Sequence, residues 1–457
     1  MNHKMREGFS RYLKWLYPNL KVKRWFCLAM FGIFLFATGF AVMNDGVALG
    51  YAELQFREVI YGLTGSTQHT AVPTGAFISV LGIFAIILGF KRMLYSIISA
   101  VLPDNEGRIV DVVYAHHHLS RGPKIVVVGG GTGLSALLRG LKQYTCNLTA
   151  IVTVADDGGS SGKLRDEMGI QPPGDVRNCL VALADTEESM DTLFSYRFES
   201  GTLKGHSLGN LLLAGLTDTF GDFQKGIEHV SKVFAIRGKV FPSALQQVVL
   251  MADLEDGTHV EGETTVRDTE GKIHRVYLEP SDCTPLPDAL KALEDADLIV
   301  LGPGSLYTSV LPNLLVVGLR EKIREVNAPC VYVCNVMTEK GETDGYRVSD
   351  HLQAILDHCG PGFVDAVLAN KGEVTAPSRK RYVKEDAVPV VTDPKEVEYL
   401  GAKYYEAHLV KEGDVVRHDS DQLAKELIRL LFRFKPMGER IALVDAYLLT
   451  QKLRKKT

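Results

Sequence analysis

Residues 124–185 constrain the fold of this chain more than any other stretch. A bare apolar run at residues 125–128 is followed by four glycines within five residues, and residues 134–142 then place leucines at helical spacing. A short β-branched run bounded by glycines is typical of a strand that is buried on both faces. A strand, a glycine turn and a helix in this order direct free backbone N–H groups and the positive helix end towards an anion. The stretch therefore predicts an α/β fold with an anion-binding turn.

Three aspartates stand in the polar loops of the same stretch. Asp156 and Asp157 follow the second predicted strand, residues 150–155, and Asp175 lies in the next polar turn. Loops after successive strands of an α/β unit meet at the carboxyl edge of the sheet, where such folds bind ligands. Because carboxylates beside phosphates typically hold Mg²⁺, we expect Asp156, Asp157 and Asp175 as candidate metal ligands. The alternative is that an aspartate only caps its turn by accepting hydrogen bonds from backbone amides.

Further loops add candidate ligand contacts. The cations available to a diphosphate are Lys163, Arg165 and Arg177, although a solvated helix face is the alternative for Lys163 and Arg165. Polar, glycine-rich loops also occur at residues 205–210 and 302–309, and Tyr307 offers a ring for stacking on a base or a sugar. The candidate ligand-binding residues are Gly130, Gly131, Thr132, Gly133, Asp157, Lys163, Arg177, Asn178, Asn210, Gly304, Ser305, Tyr307 and Asn335.

Residues 131–136 satisfy the pattern G-x-G-x-x-A, which taken alone is a weak dinucleotide fingerprint. The acid of a Rossmann site stands alone at a strand tip and holds a ribose, whereas Asp156 and Asp157 run into another glycine loop. We therefore expect no NAD, and an NAD(P)-linked enzyme is the third hypothesis for this chain. The sequence leaves two roles open for His206: an acid–base group, or a residue that packs or contacts the ligand. We assign no residue as catalytic.

Two uncharged stretches, residues 25–43 and 71–90, each have close to the roughly 20 residues that cross a bilayer as a helix. Seven basic residues precede the first stretch and two directly follow the second, whereas the intervening loop at residues 44–70 holds only Arg57. The positive-inside rule therefore predicts a cell-membrane protein with two spans and both termini in the cytoplasm. The presence of the second stretch argues against a signal peptide.

The rest of the chain predicts a Rossmann-like, mainly parallel sheet with helices on both faces. Residues 247–280 alternate apolar and polar positions, which indicates an antiparallel β excursion beside the parallel core. The expected organisation is a membrane segment at 1–92, a linker at 93–122, a Rossmann-like domain at 123–435 and a helical extension at 436–457. The net charge of −4 argues against nucleic-acid binding. Seven cysteines without a CxxC pair fit a reducing compartment.

Six motifs, all in one order, make the chain resemble the bacterial gluconeogenesis-factor family (YvcK-like), which is related to 2-phospho-L-lactate transferase and shares its CofD-like fold. The motifs are GGGTGLS at 129–135, VTVADDGGSSGKLR at 152–165, PPGDVRNCLVAL at 172–183, GHSLGNLLLAGL at 205–216, LGPGSLYTSVLPNLL at 301–315 and CNVMTEKGETDGYRVSDHL at 334–352. The resemblance runs from about residue 124 to about residue 433, so the two predicted spans lie outside it.

The resemblance implies a nucleotide-sugar ligand of the UDP-N-acetylglucosamine kind and a role in cell shape and cell-wall synthesis under gluconeogenic growth. The related transferases use Mg²⁺, so a Mg²⁺-dependent transferase that acts on a nucleotide diphosphate substrate is the alternative. On this chain the three aspartates match the transferase metal region, and residues 131–133, Asn210 and 305–307 match the ligand-lining loops. The expected protein is a membrane-tethered, cytosol-facing binding factor. Its expected partners are the nucleotide sugar, the lipid bilayer, further copies of the chain and envelope-synthesis proteins, with no nucleic acid.

Overall fold

The structure, a computed structural model, describes residues 22–43, 58, 61–62, 71–101, 119–185, 187–269, 271–372, 387–411 and 417–435. The chain divides into two compact units, Met1–Tyr114 and Ala115–Thr457. The predicted helical extension at 436–457 lies outside the described residues, and so does most of the predicted external loop at 44–70.

The described part of the first unit is dominated by two apolar helices, α1 (Val22–Met43) and α2 (Ala71–Val101). The helices approach each other closely at glycines: a Cβ built on Gly32 would lie 2.7 Å from the backbone nitrogen of Ile86. Small residues at the contact are typical of helix pairs in membranes. The two helices contain apolar windows of 20 and 25 residues, which are long enough to cross a bilayer.

The described residues of the second unit form three sheets. In chain order the strands are β1 (Ile125–Gly129), β2 (Leu148–Val152), β3 (Lys239–Pro242), β4 (Val249–Leu254), β5 (His259–Glu261), β6 (Ile273–Glu279), β7 (Leu298–Leu301), β8 (Cys330–Val333), β9 (Ala366–Asn370), β10 (Lys403–Ala407), β11 (Val410–Lys411) and β12 (Arg417–His418). One sheet of seven strands has the order β10-β9-β8-β7-β1-β2-β3, and its neighbouring strands are all parallel. The strands β5, β4 and β6 form an antiparallel sheet, and β11 pairs with β12. The mainly parallel α/β architecture and the antiparallel excursion are therefore confirmed.

Helices connect these strands. In chain order they are α3 (Gly131–Leu141), α4 (Gly159–Met168), α5 (Gly174–Leu183), α6 (Glu187–Ser195), α7 (Leu208–Phe220), α8 (Phe223–Val233), α9 (Glu263–Asp268), α10 (Pro287–Glu294), α11 (Leu311–Leu314), α12 (Val317–Glu325), α13 (Val348–Cys359), α14 (Pro394–Tyr399) and α15 (Ser420–Phe434). A wide π-helical turn, Leu306–Val310, leads into α11. The short helix α9 interrupts the antiparallel excursion, where the sequence pattern predicted only strands and turns.

The central strand β1 is buried on both faces. Val126 and Val128 pack into the apolar cluster on one face of the sheet, whereas Ile125 and Val127 pack into the cluster on the other. None of these four side chains is more than 2% exposed. Successive side chains of a strand point to opposite faces, so a strand covered on both sides needs an uninterrupted apolar run. The run that predicted this strand is therefore a consequence of its central position.

The order of the strands reverses beside β1. The chain runs from β1 outwards through β2 to β3, and later returns to the other side of β1 as β7, beyond which lie β8 and β9. At such a switch point the loops that follow neighbouring strands diverge, and a crevice opens at the carboxyl ends of the strands. The loops after β1 and β7 therefore border the crevice in which this class of fold binds ligands.

Candidate functional site

A cleft of about 300 Å³ lies at the switch point, beside the loops that follow β1, β7 and β8. The start of α3, the loop between β7 and the π-helical turn, the loop after β8 and the strand β12 form its walls. The predicted ligand-binding residues that line the cleft are Gly131, Thr132, Gly133, Gly304, Ser305 and Asn335. The structure therefore brings about half of the predicted ligand contacts together in one cavity.

The turn after β1 leaves no room for side chains. Gly131 has a φ of +64°, and a Cβ on Gly130 would lie 2.6 Å from Oδ2 of Asp175. A Cβ on Gly133 would lie 2.6 Å from the carbonyl oxygen of Pro303, so the loops after β1 and β7 touch backbone to backbone. The N-cap residue of α3, Gly130, has no side chain that could cap the helix, and the first amide, that of Gly131, donates to Oδ2 of Asp175 at 2.7 Å. The positive end of α3, with Thr132 and Gly133 at the wall of the cleft, therefore forms a candidate anion site.

The loop after β7 is fixed by a buried acid, Glu342. Its carboxylate oxygens accept hydrogen bonds from the backbone N–H of Tyr307 at 3.1 Å and from the hydroxyl of Thr308 at 2.9 Å. Glu342 is only 4% exposed. Burial, followed by the nearby charge of Glu339, raises the pKa of Glu342 to about 8. This acid therefore satisfies the donors at the start of the π-helical turn, and the turn keeps its position beside the cleft.

The expectation that the ring of Tyr307 stacks on a ligand is corrected by its position. Tyr307 is 2% exposed, and its hydroxyl lies 2.9 Å from the hydroxyl of Tyr346. Its ring packs edge-on against the rings of Tyr346 and His358. Because the side chain is almost fully buried, Tyr307 supports the loop and offers no surface to a ligand.

The loop after β8 contributes Asn335 and Glu339 to the cleft. Oδ1 of Asn335 accepts a hydrogen bond from the amide of Gly304 at 3.3 Å, and Nδ2 of Asn335 donates to Oε1 of Glu339 at 3.2 Å. The backbone N–H of Glu339 donates to Oγ1 of Thr343 at 2.9 Å. Burial raises the pKa of Glu339, and its hydrogen bond with Ser305 opposes that shift. Sequence reasoning missed Glu339, although the acids of the motif at 334–352 were a visible signal.

Arg417 and His418, which form β12, also line the cleft. Burial lowers the pKa of His418 to about 4, so the imidazole is neutral at physiological pH. Sequence reasoning missed both residues, because they follow the last core strands and only the fold returns them to the start of α3. No local motif around them could have revealed that contact.

Asp157, which was expected to contact a ligand or a metal, holds a helix of the protein instead. Its Oδ1 accepts hydrogen bonds from the backbone N–H of Thr264 at 2.9 Å and from the hydroxyl of Thr264 at 2.6 Å, at the start of α9. Oδ1 of Asp156 accepts from the backbone N–H of Gly158 at 2.9 Å. Carboxylates placed in this way satisfy the free donors of helix starts and turns. The capping alternative therefore agrees with the positions of both acids.

Asp156 and Asp175 lie beside Glu263 of α9, which forms a hydrogen bond with Asp156. Burial, followed by the charges of those two aspartates, raises the pKa of Glu263 to about 8, and burial raises the pKa of Asp175 to about 6. Glu263 therefore carries a proton at neutral pH, while Oδ2 of Asp175 accepts the N–H of Gly131 at 2.7 Å. We call Asp156, Asp157, Asp175 and Glu263 the acidic cluster.

The acidic cluster does not fit the expected Mg²⁺ site as it stands. Across the described ranges, no three His, Cys, Asp or Glu side chains are placed so that they could hold a metal ion. The carboxylates of Asp156, Asp157 and Asp175 each accept a backbone amide. A hard cation needs several oxygen ligands directed at one point, whereas these oxygens are directed at different parts of the protein.

Arg177 binds side chains of the protein. Its guanidinium donates to Oγ of Ser207 at 2.7 Å, to Oδ1 of Asn210 at 3.1 Å and to Oδ1 of Asn178 at 2.8 Å. Lys163 is exposed on α4 and is not among the residues that line the cleft. The structure therefore brings Arg177, Asn178 and Asn210 together, as predicted. Arg177 forms its hydrogen bonds with the two asparagines, however, where the sequence predicted contacts with a ligand.

His206 belongs to the same network. It is 7% exposed, and its Nδ1 lies 3.0 Å from Oγ of Ser160. That hydroxyl also accepts a hydrogen bond from Nδ2 of Asn210 at 3.2 Å. Of the two roles that the sequence left open, packing agrees with this buried and partnered position.

Comparison with known proteins adds relatives to this description. The family described as 2-phospho-L-lactate transferase CofD matches residues 125–410. A gluconeogenesis factor of Bacillus subtilis is 48% identical over 315 residues, which cover 68% of this chain and 99% of that protein. A relative from Nostoc sp. is 44% identical over 426 residues, or 92% of each chain. The crystal structure of a Bacillus halodurans protein is 52% identical, covers 67% of this chain and 100% of that chain, and has a TM-score of 0.66.

Proposed function

The chain belongs to the CofD family, together with the gluconeogenesis factors, and we propose that it is a membrane-tethered, cytosol-facing protein that binds a nucleotide sugar of the UDP-N-acetylglucosamine kind. In this proposal the bound state regulates cell shape and cell-wall synthesis under gluconeogenic growth. The names of the related gluconeogenesis factors support the gluconeogenic part of this proposal. The residues that line the cleft support the choice of ligand.

The observation that supports ligand binding most strongly is the meeting of two glycine loops at the switch point. The N-cap residue of α3, Gly130, has no side chain that could cap the helix. The amide of Gly131 donates to Asp175, and Thr132 and Gly133 follow it at the wall of the cleft. The loop that contains Gly304 and Ser305 closes the opposite wall of the same 300 Å³ cleft. Backbone N–H groups at a helix start are the usual cradle for phosphate oxygens. A diphosphate in this position would leave the attached sugar against the loop after β8.

The membrane part of the proposal rests on α1 and α2. Both contain apolar windows long enough to span a bilayer, and basic residues stand before the first and after the second. Positive flanks favour the cytoplasmic side. The proposed orientation therefore has two spans, with both termini and the second unit in the cytoplasm, where UDP-sugars are found.

Calorimetric titration of the full chain in detergent micelles with UDP-N-acetylglucosamine tests the proposal. We expect saturable binding with one site per chain, and chromatography of the mixture afterwards should recover the nucleotide sugar intact. The absence of binding would contradict the nucleotide-sugar proposal. Titration with and without Mg²⁺ in parallel measures whether a divalent cation contributes to affinity.

The second candidate function is a transferase that acts on a nucleotide diphosphate substrate, and the family description favours it. The acidic cluster adjoins the glycine turn through the bond between Asp175 and Gly131, but its carboxylates are partnered within the protein. We therefore assign no step to Mg²⁺ in this alternative. Release of UDP or UMP during the titration would establish an enzyme and replace the regulatory proposal.

A further inference from the structure

The loop after β8 carries two glutamates, three residues apart, that occupy different environments. Glu342 is 4% exposed, and its two oxygens are used by Tyr307 and Thr308. Glu339 is only partly buried and lines the cleft. The first acid is therefore a support of the loop, whereas the second reaches the cavity in which we place the ligand.

The carboxylate of Glu339 is held in place by neutral donors. Nδ2 of Asn335 donates to Oε1 at 3.2 Å, and the side chain of Ser305 forms a second hydrogen bond. The backbone N–H of the same residue is anchored on Thr343. A carboxylate has about four acceptor positions, so two donors leave it with capacity for another. An oriented acceptor with unused lone pairs, at the wall of a cleft, is suited to a donor group of a ligand.

The position of Glu339 divides the cleft into two chemically different ends. The amides at the start of α3 favour a negative group. At the other wall a carboxylate repels phosphate oxygens and favours O–H or N–H donors. A nucleotide sugar has both kinds of group, because its diphosphate is anionic and its ribose and sugar ring carry hydroxyls. The two ends of the cleft therefore match the two parts of such a molecule.

We propose that Glu339 accepts a hydrogen bond from a hydroxyl of the ligand, on its ribose or its sugar ring, and thereby orients the ligand with its diphosphate towards Thr132 and Gly133. This inference rests on the proposed nucleotide-sugar function and assigns the residue that selects the hydroxyl-bearing part. Asn335 and Ser305 are positioning residues for the carboxylate.

The test compares three ligands on the full chain in detergent micelles: UDP-N-acetylglucosamine, UDP and inorganic pyrophosphate. Titration gives the affinities of the first two, and displacement of labelled UDP-N-acetylglucosamine gives that of pyrophosphate. We expect Glu339→Ala to weaken UDP-N-acetylglucosamine roughly tenfold or more, since the hydrogen bond of a desolvated hydroxyl is lost. Pyrophosphate, which has no such hydroxyl, should change by less than about twofold. Glu339→Gln, which keeps an acceptor oxygen of the same reach, should recover most of the lost affinity.

The arms of the experiment separate the two hydroxyl sources. A loss for both UDP and UDP-N-acetylglucosamine places the ribose against Glu339, and a loss for UDP-N-acetylglucosamine alone places the sugar ring there. The matched control is Glu325→Gln, since Glu325 pairs with Lys322 on the exposed side of α12 and should change none of the affinities.

Three results would overturn the inference. An equal loss for all three ligands would indicate a purely structural role, as would no recovery in Glu339→Gln. Unchanged or tighter binding of UDP-N-acetylglucosamine by Glu339→Ala would show that no hydroxyl is bound there. Failure of the wild-type chain to bind any nucleotide would instead remove the proposed function, and this inference with it, so the two failures are distinguishable.

Discussion

The two sides of the glycine turn after β1 have similar sequences and different structures. On one side, the cleft is lined by the start of α3, by small residues and by a few oriented side chains, and the N-cap residue Gly130 has no side chain that could cap the helix. On the other side, the acidic cluster and the Arg177 network consist of side chains that form hydrogen bonds with other groups of the protein. Polar, glycine-rich loops at strand ends are therefore necessary for a site, but only groups with unused hydrogen-bonding capacity can bind a ligand.

The two sides should also differ in whether a substitution changes the free energy of unfolding or the affinity for a ligand. A buried polar group that already has its partner contributes to stability, and removing that partner costs roughly 1–3 kcal/mol. A group that faces a cleft is solvated without ligand, so its loss is felt in affinity. We therefore expect variants of the acidic cluster and the Arg177 network to change unfolding, and variants of the cleft to change binding.

The largest effect is expected for Gly133→Ala, which places a methyl group 2.6 Å from the carbonyl oxygen of Pro303. The two loops that form the cleft would have to separate, at a cost of about 1–3 kcal/mol in unfolding free energy. Binding of UDP-N-acetylglucosamine should fall below detection, because the amides lose their alignment. Gly215→Ala is the control: Gly215 lies within α7 with open space around its Cβ position, so alanine should stabilise the helix by about 0.5–1 kcal/mol. Wild-type affinity in Gly133→Ala would show that the cleft is not the binding site.

The next effect is expected for Arg177→Lys. Lysine cannot reproduce the fork that donates to Ser207, Asn210 and Asn178, and the loss should lower the unfolding free energy by about 2 kcal/mol. The affinity for UDP-N-acetylglucosamine should change less than about threefold. Chemical denaturation and titration of the same preparation measure both quantities. A large loss of affinity without a loss of stability would reverse the contrast drawn above.

A smaller effect, of opposite sign, is expected for Glu263→Gln. Burial and two neighbouring aspartates raise the pKa of Glu263 from 4.5 to about 8, so the folded chain binds a proton that the unfolded chain releases. Stability is therefore lost as the pH rises from about 4.5 towards 8, with the whole loss present above the folded pKa. The amide stays neutral and can still donate to Asp156, so the variant should be more stable than wild type by on the order of 1–2 kcal/mol at pH 8.

Thermal unfolding at several pH values between 5 and 8 checks that dependence. The difference between Glu263→Gln and wild type should shrink towards pH 5, because there the unfolded glutamate approaches its own pKa of 4.5 and unfolding releases less of the proton. A constant difference across this range, or a destabilised variant at pH 8, would contradict the assigned protonation of the acidic cluster.

The smallest effect is expected for Lys163→Ala. Lys163 is exposed on α4 and does not line the cleft, so both the unfolding free energy and the affinity should stay within about 0.5 kcal/mol of wild type. A tenfold loss of affinity would mean that the ligand extends over α4, and the boundary of the site would have to be redrawn.

The sequence predicted those parts of the molecule that depend on local pattern. The run at 125–128 identified β1, because a central strand needs apolar residues on both faces, and the glycines after it identified the turn. The helix α9 was not predicted, since its start is stabilised by Asp157, a residue 107 positions earlier in the chain. Packing also determines the role of Tyr307. Its loop motif predicted a ligand contact, but the core of the protein buries its ring.

The residues that complete the cleft could not be found by pattern alone. Arg417 and His418 stand on a two-residue strand far along the chain from the glycine turn that they face. Glu339 and Glu342 are both glutamates and lie three residues apart. Only their different burial distinguishes the acid that supports the loop from the acid that lines the cleft. Sequence reasoning thus located the edge of the sheet at which the cleft opens, while tertiary contacts decided which side chains line it.

Hydrogen–deuterium exchange of the full chain, with and without saturating UDP-N-acetylglucosamine, tests the central claim most directly. We expect the ligand to protect amides at residues 131–134 and 304–309, on the two glycine loops, and to leave those of residues 156–178 nearly unchanged. Protection confined to residues 156–178, with none on the glycine loops, would place the ligand on the acidic cluster and contradict this account.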